Sequence, residues 1–451
     1  MRHHSKLWLF RLQCGWTSRK GLIAGHFRSG HYVGGMLTTD ALTKLLNLPK
    51  PWSIERMELA TTPEEVHVWV VHGGGPLACP SCQSLCPVHD HANGRIWRHL
   101  DLWKVQTFIH ARLPRVRCPE HGVAQITVPW ATPFLNMTMD LERAVITQVL
   151  ACKTVSGACG VLQMGWDQVR GVMERAVERG LARRADDDVT YIGVDEKALL
   201  KRHRYVTLVY DLQRKLVLDV MPERTEESLL SFYRSWKPAP LANIRMITMD
   251  MWGPYKTATL KMVPLAWDKI VHDRFHVAQH MGKAVDRVRI DEHRALMESR
   301  DTTLKGTKHW WLYGQENLPR LLLADLAQLV ASDLKTAKAW TIKEHLRHLW
   351  AMTSVDTARD YATAWARAAK DTGLKPVIAV ADLVLNHLDQ IINFARNPVT
   401  NAGAEGINSI VMTLQRAARG YRTWQTFRLA ILFYCGGLAL YPTLSRSAPC
   451  A

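Results

Sequence analysis

The sequence predicts a multidomain α+β chain: a small cysteine-bearing module, a helical pair, and an α/β sheet domain interrupted by an all-α insertion. Three observations predict it. Cysteines cluster between 79 and 118 among strand-like runs, the hydrophobic period turns helical between 138 and 182, and strand-like runs from 190 give way at about 276 to a long basic helical stretch. At 451 residues and 47% hydrophobic content the chain is long enough to bury several cores. Its 58 Lys and Arg against 41 Asp and Glu, a net charge of +17, favour a polyanionic partner, nucleic acid or an anionic membrane surface, and charge alone does not choose between them. The most apolar stretch, LAILFYCGGLAL at 429–440, is shorter than the roughly 20 residues needed to cross a bilayer and predicts a buried element. LWLF at 7–10 is too short for a signal core. The expected location is cytoplasmic, with no membrane partner, and in that compartment clustered cysteines suggest metal rather than disulfides.

Residues 1–35 contain six Arg or Lys, no acid and no sustained period, and are expected to be unstructured. Met36 is the expected start, the preceding residues being upstream sequence. It opens MLTTDALTKLLNLPKPW, in which Thr39 or Asp40 caps a short helix carrying Leu42, Leu45 and Leu46. IERMELATTPEEVHVWVV at 54–71 predicts two short strands. Cys79-Pro-Ser-Cys82 and Cys118-Pro-Glu-His121 then form two knuckles, giving three thiolates and an imidazole. That set suits one tetrahedral structural Zn²⁺ with no open position. Cys86, His89 and His91 are competing ligands. Loss of the zinc is expected to unfold residues 70–130.

Met139 to Ala151 carries Leu141, Val145 and Val149 at helical spacing, and KTVSGACGVLQMGWDQVRGVMERAVERGL predicts a helix, a turn at Met164-Gly165 and a second helix. This is the layout of a helix-turn-helix, the second helix presenting Gln168, Arg170 and Arg175 to a DNA groove while Val169, Val172 and Val177 pack inward. The alternative is a helical packing module with an incidental basic face.

TYIGVDEKAL, RYVTLVYDLQRKLVLDVM with a hairpin turn at Asp211–Lys215, a helix around TEESLLSFYRSW and the strand ANIRMITMD follow. Three strands, a helix and a fourth strand begin the ribonuclease-H topology. Alternation puts Ile192 and Val194 on one face and Asp195 on the other, and Asp250 closes MITMD, so the two acids can meet on adjacent strands. Solvent-facing strand ends are the competing reading. From 276 to 398 the helical text holds Trp310, Trp311 and Trp350 among leucines, expected to form a core of its own rather than base-stacking platforms. Asn401 offers an N-cap to a helix with Ile407, Ile410, Val411 and Leu414 on one side and Glu405, Asn408, Met412, Arg416 and Arg419 on the other, the two arginines being expected DNA contacts like Gln168, Arg170 and Arg175. Ala402, Ala404 and Gly406 leave room beside Glu405 for close approach. Trp252 and His276 are either packing residues or neighbours of DNA or metal.

Five separated segments carry a resemblance: RVRCPEHGV at 115–123, YIGVDEKAL at 191–199, ITMDMWGPY at 247–255, HDRFHVAQHMGKAVDRVR at 272–289 and NAGAEGINSIVMTLQRAARGYRTWQTFRLAIL at 401–432. From about Met36 to Tyr441 the chain resembles the ISL-three insertion-sequence family of DDE transposases. The resemblance implies a zinc-binding domain (36–130), a helix-turn-helix (135–185) and a ribonuclease-H-like catalytic domain (188–275 and 399–441) split by a helical insertion (276–398). It places the catalytic triad on Asp195, Asp250 and Glu405, holding two Mg²⁺ or Mn²⁺ ions. It further implies DNA partners, the inverted repeats of an element and a target, bound by a homodimer or larger assembly that is nucleoid-associated on DNA. The chain departs from the family in the 35 residues ahead of Met36 and in His121 as fourth zinc ligand. A DNA-binding regulator with an inactive catalytic domain, and a ribonuclease-H-type nuclease or resolvase, are the rival functions.

Overall fold

The computed structural model describes residues 43–443, apart from 45, 47, 103, 186, 187, 201–203, 237, 397 and 399–401. The 1–35 extension, the cap expected at Thr39 or Asp40 and the Asn401 cap lie outside the described residues.

The chain first builds an antiparallel pair, β1 (Trp52–Thr61) and β2 (Glu64–His72). A two-stranded knuckle follows, β3 (Leu77–Ala78) with β4 (Leu85–Cys86), and then β5 (Val88–Leu102), β6 (Val105–Cys118) and β7 (Gly122–Gln125). The main sheet runs β1-β2-β6-β5, with β7 added to β6. Alternation in β2 buries Val66, Val68 and Val70 and turns His67 and Trp69 outward, as a one-sided sheet requires. The inward face packs Trp52, Val68, Trp97, Ile109, Leu113, Val116 and Trp130 into a core that also reaches Cys79 and Cys118.

Three helices come next: α1 (Met139–Cys152), α2 (Val155–Leu162) and α3 (Trp166–Arg183). Thr138 caps α1 by accepting from Leu141 N, and Thr154 caps α2 by accepting from Gly157 N. Gln163, left-handed at φ 49°, ends α2 and lets the chain turn into α3. Val169, Val172 and Val177 pack inward as their spacing predicts. The three helices do not keep a core to themselves. Leu141, Val145, Val172 and Val177 join one cluster with Val206, Leu208 and Tyr210 of the following sheet and with the last two helices.

That sheet consists of β8 (Tyr191–Leu200), β9 (Arg204–Asp211) and β10 (Leu216–Pro222), then β11 (Met246–Met249) and β12 (Ile270–His272) after helices α4 (Glu226–Ser235) and α5 (Pro238–Asn243), and α6 (Gly253–Met262) and α7 (Ala266–Lys269). Its order is β10-β9-β8-β11-β12; the first three strands are antiparallel, and β11 runs parallel to both β8 and β12. The hairpin turn expected at Asp211–Lys215 is present, closed by Asp211 Oδ1, which accepts from the amides of Gln213 and Arg214. Ile192, Val194, Val209 and Ile247 pack against α4 and α6 through Leu229, Phe232, Tyr233 and Tyr255. The opposite face is covered by α15 and α16, below.

The helical stretch expected to be an insertion comprises α8 (Arg274–Glu298), α9 (Lys308–Leu312), α10 (Arg320–Val330), α11 (Lys335–Leu346), α12 (Val355–Asp371), α13 (Lys375–Asn386) and α14 (Leu388–Ile392). Its separate core includes Val277, Met281, Trp311, Trp340, Trp365 and Val377. Trp311 is fully buried with its indole donating to Thr307 Oγ1 at 3.0 Å, so this tryptophan is core; Trp310 and Trp350 lie at the core margin. Among the described residues no single helix is long and apolar enough to cross a membrane. One bent pair, α13 with Leu388–Ala395, passes by length and composition, and it is built into the insertion core through Val377, Val384 and Ile391.

The chain closes with α15 (Ala402–Ala417) and α16 (Trp424–Cys435). The apolar stretch from 429 is buried in its helical part, at Ala430, Ile431, Leu432 and Phe433. On α15 the buried stripe is Ala404, Ile407, Val411 and Leu414, whereas Ile410 is 52% exposed. The assignment of Ile410 to the packed side is thereby corrected. At 100° per residue it lies about 80° from the centre of that stripe, on the flank of the helix.

Candidate active site and metal centre

Each cysteine-bearing knuckle is made by a tight turn. Cys79 N donates to Ser84 O and Gln83 N to Cys79 O, both at 2.9 Å, with Gln83 left-handed at φ 62°. Gly122, at φ 68°, lets β6 turn into β7 directly after His121. The ligand atoms of Cys79, Cys82, Cys118 and His121 all lie within 4.8 Å of one another. Cys82 Sγ is 3.6 Å from Cys118 Sγ, and His121 Nδ1 is 3.5 Å from Cys118 Sγ and 3.9 Å from Cys79 Sγ. A tetrahedron with zinc–sulfur bonds of about 2.3 Å has sulfurs about 3.8 Å apart, so the residues fit zinc. The rival ligands take other partners: Cys86 Sγ donates to Ser84 O, and His89 lies 3.2 Å from the Arg117 guanidinium. His91 stands exposed on β5.

The carboxylates are placed by sheet register. Met246, Ile247 and Thr248 pair in parallel with Tyr191, Ile192 and Gly193. The same offset carried two residues further sets Asp250, just past the end of β11, beside Asp195 in the middle of β8, close enough for the two charges to interact. Asp195 accepts from neutral donors, Asn408 Nδ2 at 2.7 Å on Oδ2 and the Glu196 amide at 2.8 Å on Oδ1. Burial raises its pKa above the usual carboxylate range, and the Asp250 charge raises it further. Asp250 Oδ1 lies 2.6 Å from His276 Nε2, on the first turn of α8. The hydrogen bond to Asp250 raises the His276 pKa against the effect of burial. This oxygen-rich donor set, with two like charges side by side, suits Mg²⁺ or Mn²⁺.

Glu405 approaches from α15. It is exposed and lines a cavity of about 1170 Å³ together with Asp273, Arg274, Phe275 and Trp350. Among the described residues the cysteine–histidine quartet is the group of three or more ligating side chains drawn within 4.8 Å, so the three carboxylates stand more openly than that. The register brings Asp195 and Asp250 together. Glu405 lies one turn before Asn408 on α15, and it is Asn408 that bonds Asp195. Of its small neighbours, Gly403 is the one whose place is tight: a Cβ there would meet Leu212 O at 3.3 Å, while Gly406 faces open space.

Sequence reasoning left several neighbours without a role. Asn408 was placed only on a polar face, and Tyr210, whose hydroxyl donates to Asn408 Oδ1 at 2.7 Å, looked like a strand residue. Trp252, beside Asp250, donates its indole N–H to Arg224 O, and the Arg224 guanidinium lies between the Trp252 and Tyr205 rings while bonding Glu196. His276 and Trp252 both border the carboxylate pair.

The five residues expected at DNA are divided. Gln168 is exposed, with its Oε1 accepting from the Gly165 amide. Arg170 pairs with Glu174 at 2.9 Å, and Arg175 lies 3.7 Å from the buried Glu142. Gln168 and Arg175 line a groove of about 430 Å³ with Arg98 and Phe108 of the N-terminal sheet. Arg416 is exposed in the last turn of α15, but Arg419, expected on the same helical face, lies past the helix end in a left-handed turn at φ 55°, where Gly420 N closes on Gln415 O.

Comparison with known proteins fits this arrangement. A zinc-finger family of the transposases of IS204, IS1001, IS1096 and IS1165 matches residues 75–121, which hold the whole quartet. The transposase of insertion element IS1001 from Bordetella parapertussis is 26% identical over 387 residues, covering 84% of this chain and 94% of that protein. The transposase of IS1557 from Mycobacterium tuberculosis is 25% identical over 388 residues, covering 79% of this chain and 86% of its own length. The DDE transposase family of the ISL3 type matches residues 192–431, more than half of the chain and all three carboxylate positions. On that match the chain belongs to the ISL3 family of DDE transposases.

Proposed function

We propose that this transposase binds the terminal inverted repeats of its element, cleaves the DNA there and joins the freed 3′ end to a target strand, with Asp195, Asp250 and Glu405 as its catalytic metal ligands. The observation that carries the reading is the register of β8 and β11, which, extended two residues, puts Asp250 just past β11 beside Asp195 in the middle of β8. In an interior of low dielectric such a pair is costly unless a cation is shared between the members. The sheet order, with three antiparallel strands and two parallel ones, supports a ribonuclease-H-like catalytic domain over 188–275 and 399–441, split by the insertion at 276–398.

Asp195, Asp250 and Glu405 would hold two divalent cations. Bound there, these supply the positive charge that stabilises the attacking and leaving oxygens of an in-line displacement. His276 keeps Asp250 oriented through its 2.6 Å contact. Arg416, exposed on the last turn of the Glu405 helix, and Arg419, in the left-handed turn just past its end, carry charge suited to the DNA backbone. Helices α2 and α3 are read as a helix-turn-helix within 135–185, with Gln168, Arg170 and Arg175 toward DNA. The quartet in the 36–130 domain would hold a structural zinc. Two element ends require at least two protomers in the complex.

The test is incubation of the full chain with element-end duplex, target DNA and Mg²⁺. Nicked ends and joined products are expected. Nicking without joining would favour a nuclease or resolvase, and binding without nicking a regulator.

A further inference from the structure

We infer that Asn408 is a positioning residue of the active site: it aims the Asp195 carboxylate and fixes the Glu405 helix against the strand that carries Asp195, and the Tyr210 hydroxyl holds its amide from the other side. The inference rests on the catalytic reading of Asp195 above, and nothing in that reading requires Asn408.

Two hydrogen bonds carry it. Asn408 Nδ2 donates to Asp195 Oδ2 and the Tyr210 hydroxyl donates to Asn408 Oδ1, each at 2.7 Å. Tyr210 is fully buried on β9, two residues along the same face from Leu208, the partner of Asp195 across the β8–β9 ladder. Its burial holds the phenol protonated, with a pKa well above the ordinary value, so the hydroxyl has a proton to give. An amide accepting from Tyr210 through its oxygen presents its NH₂ to Asp195; flipped, it would still suit the Tyr210 hydroxyl, which can accept, but would set its oxygen against the carboxylate, so Asp195 fixes the orientation and the Tyr210 hydroxyl completes it by donating. The relay therefore has one polarity, from Tyr210 through Asn408 to Asp195.

Its consequences are local and geometric. Asp195 Oδ1 accepts the Glu196 amide and Oδ2 accepts Asn408, which fixes the plane of the carboxylate and leaves a lone pair on each oxygen for a cation. Asn408 lies three residues after Glu405 on α15, so the same bond that holds Asp195 also fixes the rotation of the helix that presents Glu405. One amide thus couples the first acid to the third across more than 200 residues of chain. Groups that orient metal ligands in this way are worth roughly 10–100-fold in metal affinity or activity when removed.

The experiment uses the full chain and measures Mn²⁺ binding by electron paramagnetic resonance, nicking of element-end DNA at several Mn²⁺ concentrations, DNA-end affinity and thermal midpoint. Asn408→Ala is expected to weaken Mn²⁺ binding about tenfold or more. Its nicking should be restored in part by excess Mn²⁺, with DNA-end affinity kept. Tyr210→Phe should weaken Mn²⁺ binding less, and the double variant should be no weaker than Asn408→Ala, because Tyr210 acts through Asn408. Ser409→Ala, an exposed change on the same helix, should leave every reading at its wild-type value. If Asn408→Ala fails to fold, Tyr210→Phe carries the same test. Unchanged Mn²⁺ affinity in a folded Asn408→Ala that still loses nicking would overturn the inference, and so would additive losses in the double variant. Asp195→Asn is measured alongside: if it nicks normally the catalytic reading itself fails, whereas if it is inactive while Asn408→Ala binds Mn²⁺ normally only the positioning role fails.

Discussion

Removing zinc is predicted to melt the two knuckles and leave the N-terminal sheet standing, a narrower outcome than the unfolding of 70–130 expected from spacing alone. Between Cys79 and Cys86 eight residues are ordered, at a backbone entropy cost of roughly 8–16 kcal/mol at 1–2 kcal/mol each. The turn returns two hydrogen bonds, about 1–3 kcal/mol together, and the β3–β4 ladder pairs only Leu77 with Cys86 and Ala78 with Leu85. Leu85 is 75% exposed and adds little burial. A structural zinc contributes on the order of 10–16 kcal/mol, which covers the deficit. The sheet needs no such help, because Val68, Trp97, Ile109 and Val116 are fully buried and each contributes about 1.5–3 kcal/mol or more without reference to metal. Hydrogen exchange before and after chelation reads the difference. Amides at 79–86 and 118–122 should lose protection, and those of Val68, Trp97 and Ile109 should keep it. Loss of protection across the whole sheet together would refute the reasoning, as would knuckles that stay protected without metal.

The exposed Ile410 and buried Ile407 make α15 testable: Ile407→Ala should cost about 2–5 kcal/mol in urea unfolding and Ile410→Ala within about 0.5 kcal/mol. Equal costs would mean that the helix is rotated and that the placement of Glu405 and Asn408 is wrong. His272, 1% exposed at the end of β12, has its pKa lowered to about 3 from 6.5, chiefly by burial. The unfolded chain therefore binds a proton between those values that the folded chain does not, and stability is full above pH 6.5 and falls as the pH drops toward 3. By pH 5 this one group removes about 2 kcal/mol. His272→Asn should flatten the stability profile between pH 7.5 and 5 by about that amount, and an unchanged slope would contradict it.

What was legible in the sequence follows from what constrains sequence locally. Cys79, Cys82, Cys118 and His121 could be read because a tetrahedral ion dictates both residue type and knuckle spacing. That Asp195 and Asp250 would lie side by side could be expected because alternation turns Asp195 away from the packed face of its strand and the two runs are offset alike, although solvent-facing acids remained a competing reading until the family resemblance was weighed. Glu405 could not be singled out in this way, since an acid in the first turn of a helix is ordinary, and it was the family resemblance that named it. Asn408 bonds an acid more than 200 residues away, and no local period encodes that contact. Ile410 misled because an apolar residue at the margin of a stripe belongs to the core only if a partner reaches that far. The sharing of one core by α1–α3 and the central sheet was hidden for the same reason: an amphipathic face states that it is covered, not by what.

Glu405→Gln tests the central claim most directly, in a single-turnover nicking assay on saturating element-end DNA with Mg²⁺. The amide keeps the shape of the side chain and removes its charge, and Glu405 is exposed, so folding and end binding should be unchanged. The account predicts that the nicking rate falls by roughly a thousandfold or more, and that adding Asp195→Asn or Asp250→Asn lowers it little further, because ligands of one site act as a unit. A Glu405→Gln protein that nicks within about tenfold of wild type would contradict it, leaving Glu405 as a residue that only favours the start of its helix, worth about 0.3–1 kcal/mol.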